Sequence, residues 1–142
     1  MFKKTFLSLV TVFILIQFIP VNRSNPPAEE DLYAPDRVKT ILRVSCYDCH
    51  SNETKWPSYS RIAPISWLIA HHVHEGREYL NFSHFDSMDS TQKRLAAVQI
   101  KREIEKGSMP LAPYVWMHPQ AKMTPEKRQI VIEWLAALFG NN

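Results

Sequence analysis

Ser45-Cys46-Tyr47-Asp48-Cys49-His50 holds both cysteines of the chain, three positions apart, with a histidine directly after the second. C-x-x-C-H is the attachment signature of c-type haem. Two thiols at this spacing can each add to a haem vinyl group. The adjacent imidazole then lies beneath the ring, where it can bind the iron. Three other readings compete. A thioredoxin-like dithiol calls for a preceding strand in a βαβ context, and the sequence has no strand pattern. A zinc site needs two further ligands at matching spacing, and only the cluster His71, His72 and His74 offers any. A structural disulfide gives His50 no purpose. The expectation is one covalent haem c held by Cys46 and Cys49, with His50 as the proximal iron ligand.

A second iron ligand in an electron-transfer cytochrome is usually methionine or histidine, and methionine raises the potential. Met109 is the expected ligand, because it follows a helix that ends at Gly107 and precedes Pro110 in a loop able to hold a thioether over the ring. Met117 and Met123 share that loop and are its nearest rivals. His72 or His74 would give bis-histidine ligation instead. Any of these methionines can also be simple core filler. Trp56, Tyr59, Trp67, Tyr114 and Trp116 are expected to wall the haem crevice. Lys55, Arg61 and Arg77 are candidate partners for the haem propionates, or ordinary surface charges.

Outward from the motif, the chain reads as helices joined by loops. Pro35 suits a first turn, and Val38, Ile41, Leu42 and Ser45 follow at i, i+3, i+4 and i+7, so a helix runs straight into Cys46. Ser51 to Pro64 is irregular. Ile65 to Tyr79 is the next helix, with Trp67, Leu68 and Ile69 as its apolar residues. Ser83 to Asp89 is loop. Ser90 is the expected N-cap of a helix over Thr91 to Lys106, with Leu95, Val98 and Ile104 inward and Gly107 at its end. Gly107 to Met123 reads as one long ordered loop, of the kind that usually carries function. Thr124 caps a last helix with Pro125 at its first position. Its face of Ile130, Val131, Trp134, Leu135 and Leu138 stops at Gly140, and Trp134 is expected to pack on Val38, Ile41 and Leu42. The fold class is all-α: a small cytochrome c-like helical domain with long haem-enclosing loops, preceded by an N-terminal apolar targeting or anchor helix.

The 142 residues carry a formal charge of +3, which invites a nucleic-acid reading. Lys3, Lys4 and Arg23 flank the N-terminal apolar run, however, and the remaining fourteen basic residues balance the fourteen acidic ones. No basic stripe is left to bind phosphates. Phe6 to Ile19 has the length of a signal-peptide core and is short for a spanning helix, which needs about 17–25 residues. Pro20-Val21-Asn22-Arg23-Ser24 contains no A-x-A-like cleavage site, so Thr5 to Val21 is expected to stay as a marginal membrane anchor. The lysines then remain cytoplasmic and the domain lies on the periplasmic side of the inner membrane. The expected organisation is 1–23 signal peptide or uncleaved anchor, 24–34 linker, and 35–142 haem-binding domain.

Ser45 to Asn52, Trp56-Pro57, Ile62 to Trp67, His74-Glu75-Gly76-Arg77 and Leu80-Asn81-Phe82-Ser83 together resemble the bacterial haem-binding domain family, over about Asn25 to the C-terminus. The resemblance implies haem binding and export. It maps the attachment thiols to Cys46 and Cys49, the proximal ligand to His50 and the methionine of an M-P loop to Met109. Ser58 stands where a bulkier aromatic is expected and Leu111 where a second proline is common. The function expected is one-electron transfer with unidentified redox proteins, not catalysis. No nucleophile with its base, paired acids or phosphate loop is present. The alternative is a haem peroxidase-like enzyme or small-ligand sensor with an open iron position.

Overall fold

The computed structural model describes residues 2–28 and 32–139. Among the described residues seven α-helices succeed one another: α1 (Phe2–Ile16), α2 (Asp36–Ser45), α3 (Tyr47–His50), α4 (Ile65–Tyr79), α5 (Ser90–Lys106), α6 (Ala112–Met117) and α7 (Pro125–Phe139). No strand occurs among the described residues. The expected stop of α7 at Gly140 lies outside them.

Val38, Ile41, Leu42 and Ser45 are the buried face of α2, as the period demanded. Val38, Ile41 and Leu42 share one core with Val131, Trp134 and Leu135 of α7 and with Phe82 and Phe85 between α4 and α5. Trp134 meets Phe85 at 6.1 Å between ring centroids. On α5 the inward residues are Ala96, Ala97, Ile100 and Ile104, whereas Leu95 and Val98 face solvent, contrary to expectation. The small Ala96 and Ala97 take the close-packed positions, so the larger residues beside them are turned out. On α4 the buried residues are Ser66, Val73 and Gly76, and Leu68 is exposed.

The caps explain where helices begin and end. Asp89, one residue before the expected Ser90, caps α5 in a reciprocal box with Gln92. Gly107 closes α5 in the left-handed region at φ 72°. Thr124 Oγ1 accepts from Lys127 N and caps α7. Gly107 to Met123 is not one loop, since it contains α6 and a 3-10 turn at Pro119–Ala121.

Two further expectations need correction. Ser24, Asn25 and Pro27, within the expected 24–34 linker, are tied to the domain. Arg77 donates to the Ser24 carbonyl at 3.1 Å and to Asn25 Oδ1 at 2.7 Å, Asn25 donates to the Thr54 carbonyl, and Asn52 donates to that of Pro27. Leu32, at its far end, is core. The apolar helix also stops at Ile16, short of the expected 5–21 span. At 1.5 Å per residue its fifteen residues rise about 22 Å. No helix among the described residues is long and apolar enough to cross a membrane. The Gln17 amide breaks the run: it donates to the Phe13 and Ala63 carbonyls and accepts from Ala63 N, turning the chain into the domain before Pro20.

Candidate haem site

Cys46 interrupts the first helical stretch at φ −129°, so the motif sits on a separate turn, α3, at an angle to α2. That turn packs against α4 at Gly76. A Cβ at Gly76 would stand 2.4 Å from the Cys49 carbonyl oxygen, so the approach is possible only without a side chain. The contact places the His50 ring against the end of α4. His50 Nδ1 lies 2.8 Å from the Gly76 carbonyl and 3.1 Å from that of Leu80. Carbonyls only accept, so Nδ1 carries the proton and Nε2 keeps its lone pair for a metal. Burial holds the imidazole below its usual range, outweighing both carbonyl bonds, and keeps it neutral.

The residues after the motif are stitched to the segment after α4. Asn52 N donates to Ser83 Oγ, Asn81 donates to Asn52 Oδ1, and Tyr47 stacks on Phe82 at 5.4 Å. Arg77 adds bonds to the Ser51 carbonyl and Thr54 Oγ1. Its guanidinium is thus bonded to the protein, and Arg77 does not line the cavity described below. Neither Lys55 nor Arg61 lines the site; the cation that does is Arg102, held by Glu103 at 3.0 Å. Replacing Arg77 by Met is expected to destabilise the chain by at least one charged hydrogen bond, roughly 1.5–3 kcal/mol. Limited proteolysis should then cut within residues 20–28 sooner, whereas an unchanged cleavage rate would show that the bonds do not hold that segment.

A largely apolar cavity of about 500 Å³ opens beside the motif, within the size range of cofactor pockets. Cys46, Cys49, His50 and Met109 all line it. Met109 is positioned from the end of α5, where Ser108 N and Met109 N both donate to the Glu103 carbonyl. Of its rivals, Met123 is buried in the core, Met117 is exposed and His74 leans on Glu78; none of the three lines the cavity. His72 does. Of the expected aromatic walls only Tyr114 is one, and its hydroxyl donates to Asp48 Oδ2 at 2.7 Å. Tyr114 stacks on His118, whose Nε2 lies 2.6 Å from the Tyr59 hydroxyl, so Tyr59 supports the wall from behind. Trp116 is 77% exposed and walls nothing. Trp56 binds Asn25, and Trp67 lies outside the cavity.

Both thiols are held protonated. Burial, then the neighbouring thiol, pushes Cys46 up to about 12; burial, then Asp48, pushes Cys49 up to about 11 against the pull of Arg77. Burial thus works against the lowered thiol pKa that a reactive dithiol uses. The profile of the haem-binding domain family matches residues 11–137. The chain belongs to this family. No curated protein and no solved structure matches it. The cavity fits the group that the family name implies: a neutral imidazole with its outer nitrogen already satisfied faces a space of cofactor size. Ser45 Oγ, buried and lining the same cavity, has no partner among the described residues and is open to one from an occupant. In this haem-binding domain, sequence reasoning missed Gly76, Ser45 and Arg102. The i+1 spacing of Gly76 from Glu75 carries no signal, because its importance lies in how closely α3 approaches.

Proposed function

We propose that this haem-binding domain is a monohaem c-type cytochrome, covalently loaded through Cys46 and Cys49, that passes single electrons on the periplasmic side of the inner membrane. The observation that carries this reading is the convergence of both thiols, the oriented His50 and Met109 on one cavity. Haem, when bound, supplies an iron that accepts and releases one electron. His50, through Nε2, and Met109 would hold the iron. The Gly76 and Leu80 carbonyls keep the ring in one tautomer and raise its basicity as a ligand. Ile100, Ile104 and Ala96 of α5 keep water from that wall, and low polarity with a thioether ligand favours the reduced iron. The chain would act as a carrier rather than an enzyme, exchanging electrons with protein partners.

His72 favours a second reading. It lines the cavity, so it either replaces Met109 as ligand or stands beside an open iron position in a peroxidase-like or sensing site. One set of spectra separates these. Protein made with the cytochrome c maturation machinery is expected to show sharp reduced bands that survive denaturation and are absent from Cys46→Ala/Cys49→Ala. Met109→Ala should abolish the methionine-to-iron charge-transfer band and lower the potential, within the roughly 0.8 V that axial ligands span. A spectrum altered by His72→Ala and untouched by Met109→Ala would transfer the ligand role. A high-spin wild type would favour the open site, and haem lost on denaturation would remove the covalent claim. The N-terminal segment, with Lys3 and Lys4 left in the cytoplasm, would hold the domain to the membrane.

A further inference from the structure

The helix α1 buries none of its side chains, yet its end is fixed to the domain. The Gln17 amide forms a two-way bond with the backbone of Ala63, forty-six residues away. Exposed apolar side chains adjoin both tied residues in sequence: Phe18 and Ile19 after Gln17, Ile62 and Ile65 on either side of Ala63, and Leu68 one turn further along α4. These three are 48, 48 and 52% exposed. Arg61, also exposed, borders them.

We propose that Ile62, Ile65 and Leu68 dock the domain onto the lipid bilayer beside α1, fixing its orientation to the membrane surface. This rests on the membrane attachment of α1 proposed above. The length of α1 argues for it. A rise of about 22 Å falls short of a hydrocarbon core of about 30 Å. A short span is accommodated by thinning the bilayer or by drawing flanking groups into it. The rigid tie at Gln17 makes the Ile62–Leu68 corner the flanking group within reach, and it is apolar where water would otherwise meet it. Arg61 suits the anionic headgroups at that depth. On α4, Leu68 is one turn from His72, so docking turns that side of the cavity towards the bilayer.

The full-length haem-loaded chain in phosphatidylcholine vesicles containing phosphatidylglycerol tests this. A photo-crosslinking benzophenone residue is encoded in turn at Leu68, at Leu9 on α1 and at the exposed Leu95 on α5. Phospholipid adducts are expected at 68 and 9 and not at 95. Gln17→Ala should cause loss of the adduct at 68 while sparing that at 9. Adducts at 9 alone would overturn the docking and leave the anchor reading standing. Adducts at neither position would overturn both.

Discussion

Gly76→Ala is expected to destabilise the domain, although glycine-to-alanine changes within helices ordinarily stabilise by about 1 kcal/mol. The new methyl group would stand 2.4 Å from the Cys49 oxygen, 3.0 Å from its carbonyl carbon and 3.2 Å from its Cβ. All three belong to or adjoin backbone that cannot rotate aside, so α3 and α4 must separate. Overpacking of this kind costs about 1–3 kcal/mol. For a domain of about 100 residues, 2 kcal/mol corresponds to a fall in Tm of roughly 8–16 °C. Gly107→Ala separates this effect from backbone preference. It meets nothing within 4 Å but must adopt φ 72°, so its smaller loss is conformational alone and Gly107→Asn should recover most of it. Thermal melts of the three variants decide the matter, and an unchanged or raised Tm for Gly76→Ala would mean that α3 and α4 do not pack this closely.

His50→Ala removes a side chain that would serve two purposes on the proposed reading, and the variant distinguishes them. As a structural group, the imidazole bonds the carbonyls of Gly76 and Leu80. Gly76 also accepts from Leu80 N, so only the Leu80 carbonyl loses its recorded partner. That loss is of the order of 1–3 kcal/mol. As an iron ligand, His50 would determine the spectrum. The variant is expected to lose the six-coordinate low-spin signature entirely, and free imidazole should restore much of it by occupying the emptied space. Imidazole that restores neither band nor potential would show that His50 is structural only.

The site was legible in the sequence where chemistry depends on spacing along the chain. Cys46, Cys49, His50 and Met109 line one cavity because the cysteines adjoin the histidine on one turn, and the Gly107 cap turns the chain at Met109 back towards the Glu103 carbonyl. The same holds for Val38, Ile41, Leu42 and Ser45, where a helical period is enough to select the buried face. What the sequence hid depends on distances between segments far apart in it. The α6 turn is too short to form by propensity, and it stands because Tyr114 reaches Asp48 sixty-six residues away. Ser24 and Asn25 look like linker until Arg77 is seen to bind them. Leu95 and Val98 fit an inward period, but Ala96 and Ala97 took the close-packed positions instead.

The bonds of Arg77 have a mechanical meaning. One guanidinium grips Ser24 and Asn25 on the stretch leaving α1, and Ser51 and Thr54 on the stretch leaving the cysteine motif. Tension applied through the N-terminus is therefore not absorbed by slack chain. Once the Gln17–Ala63 bonds have yielded, it is delivered by Arg77 to α4 and to the strap just behind His50, so a pull on the N-terminus then loads the His50 turn before it loads the α2–α7 core. Under force, the part that would hold the metal is the part placed to give way early, with the helical remainder still folded behind it.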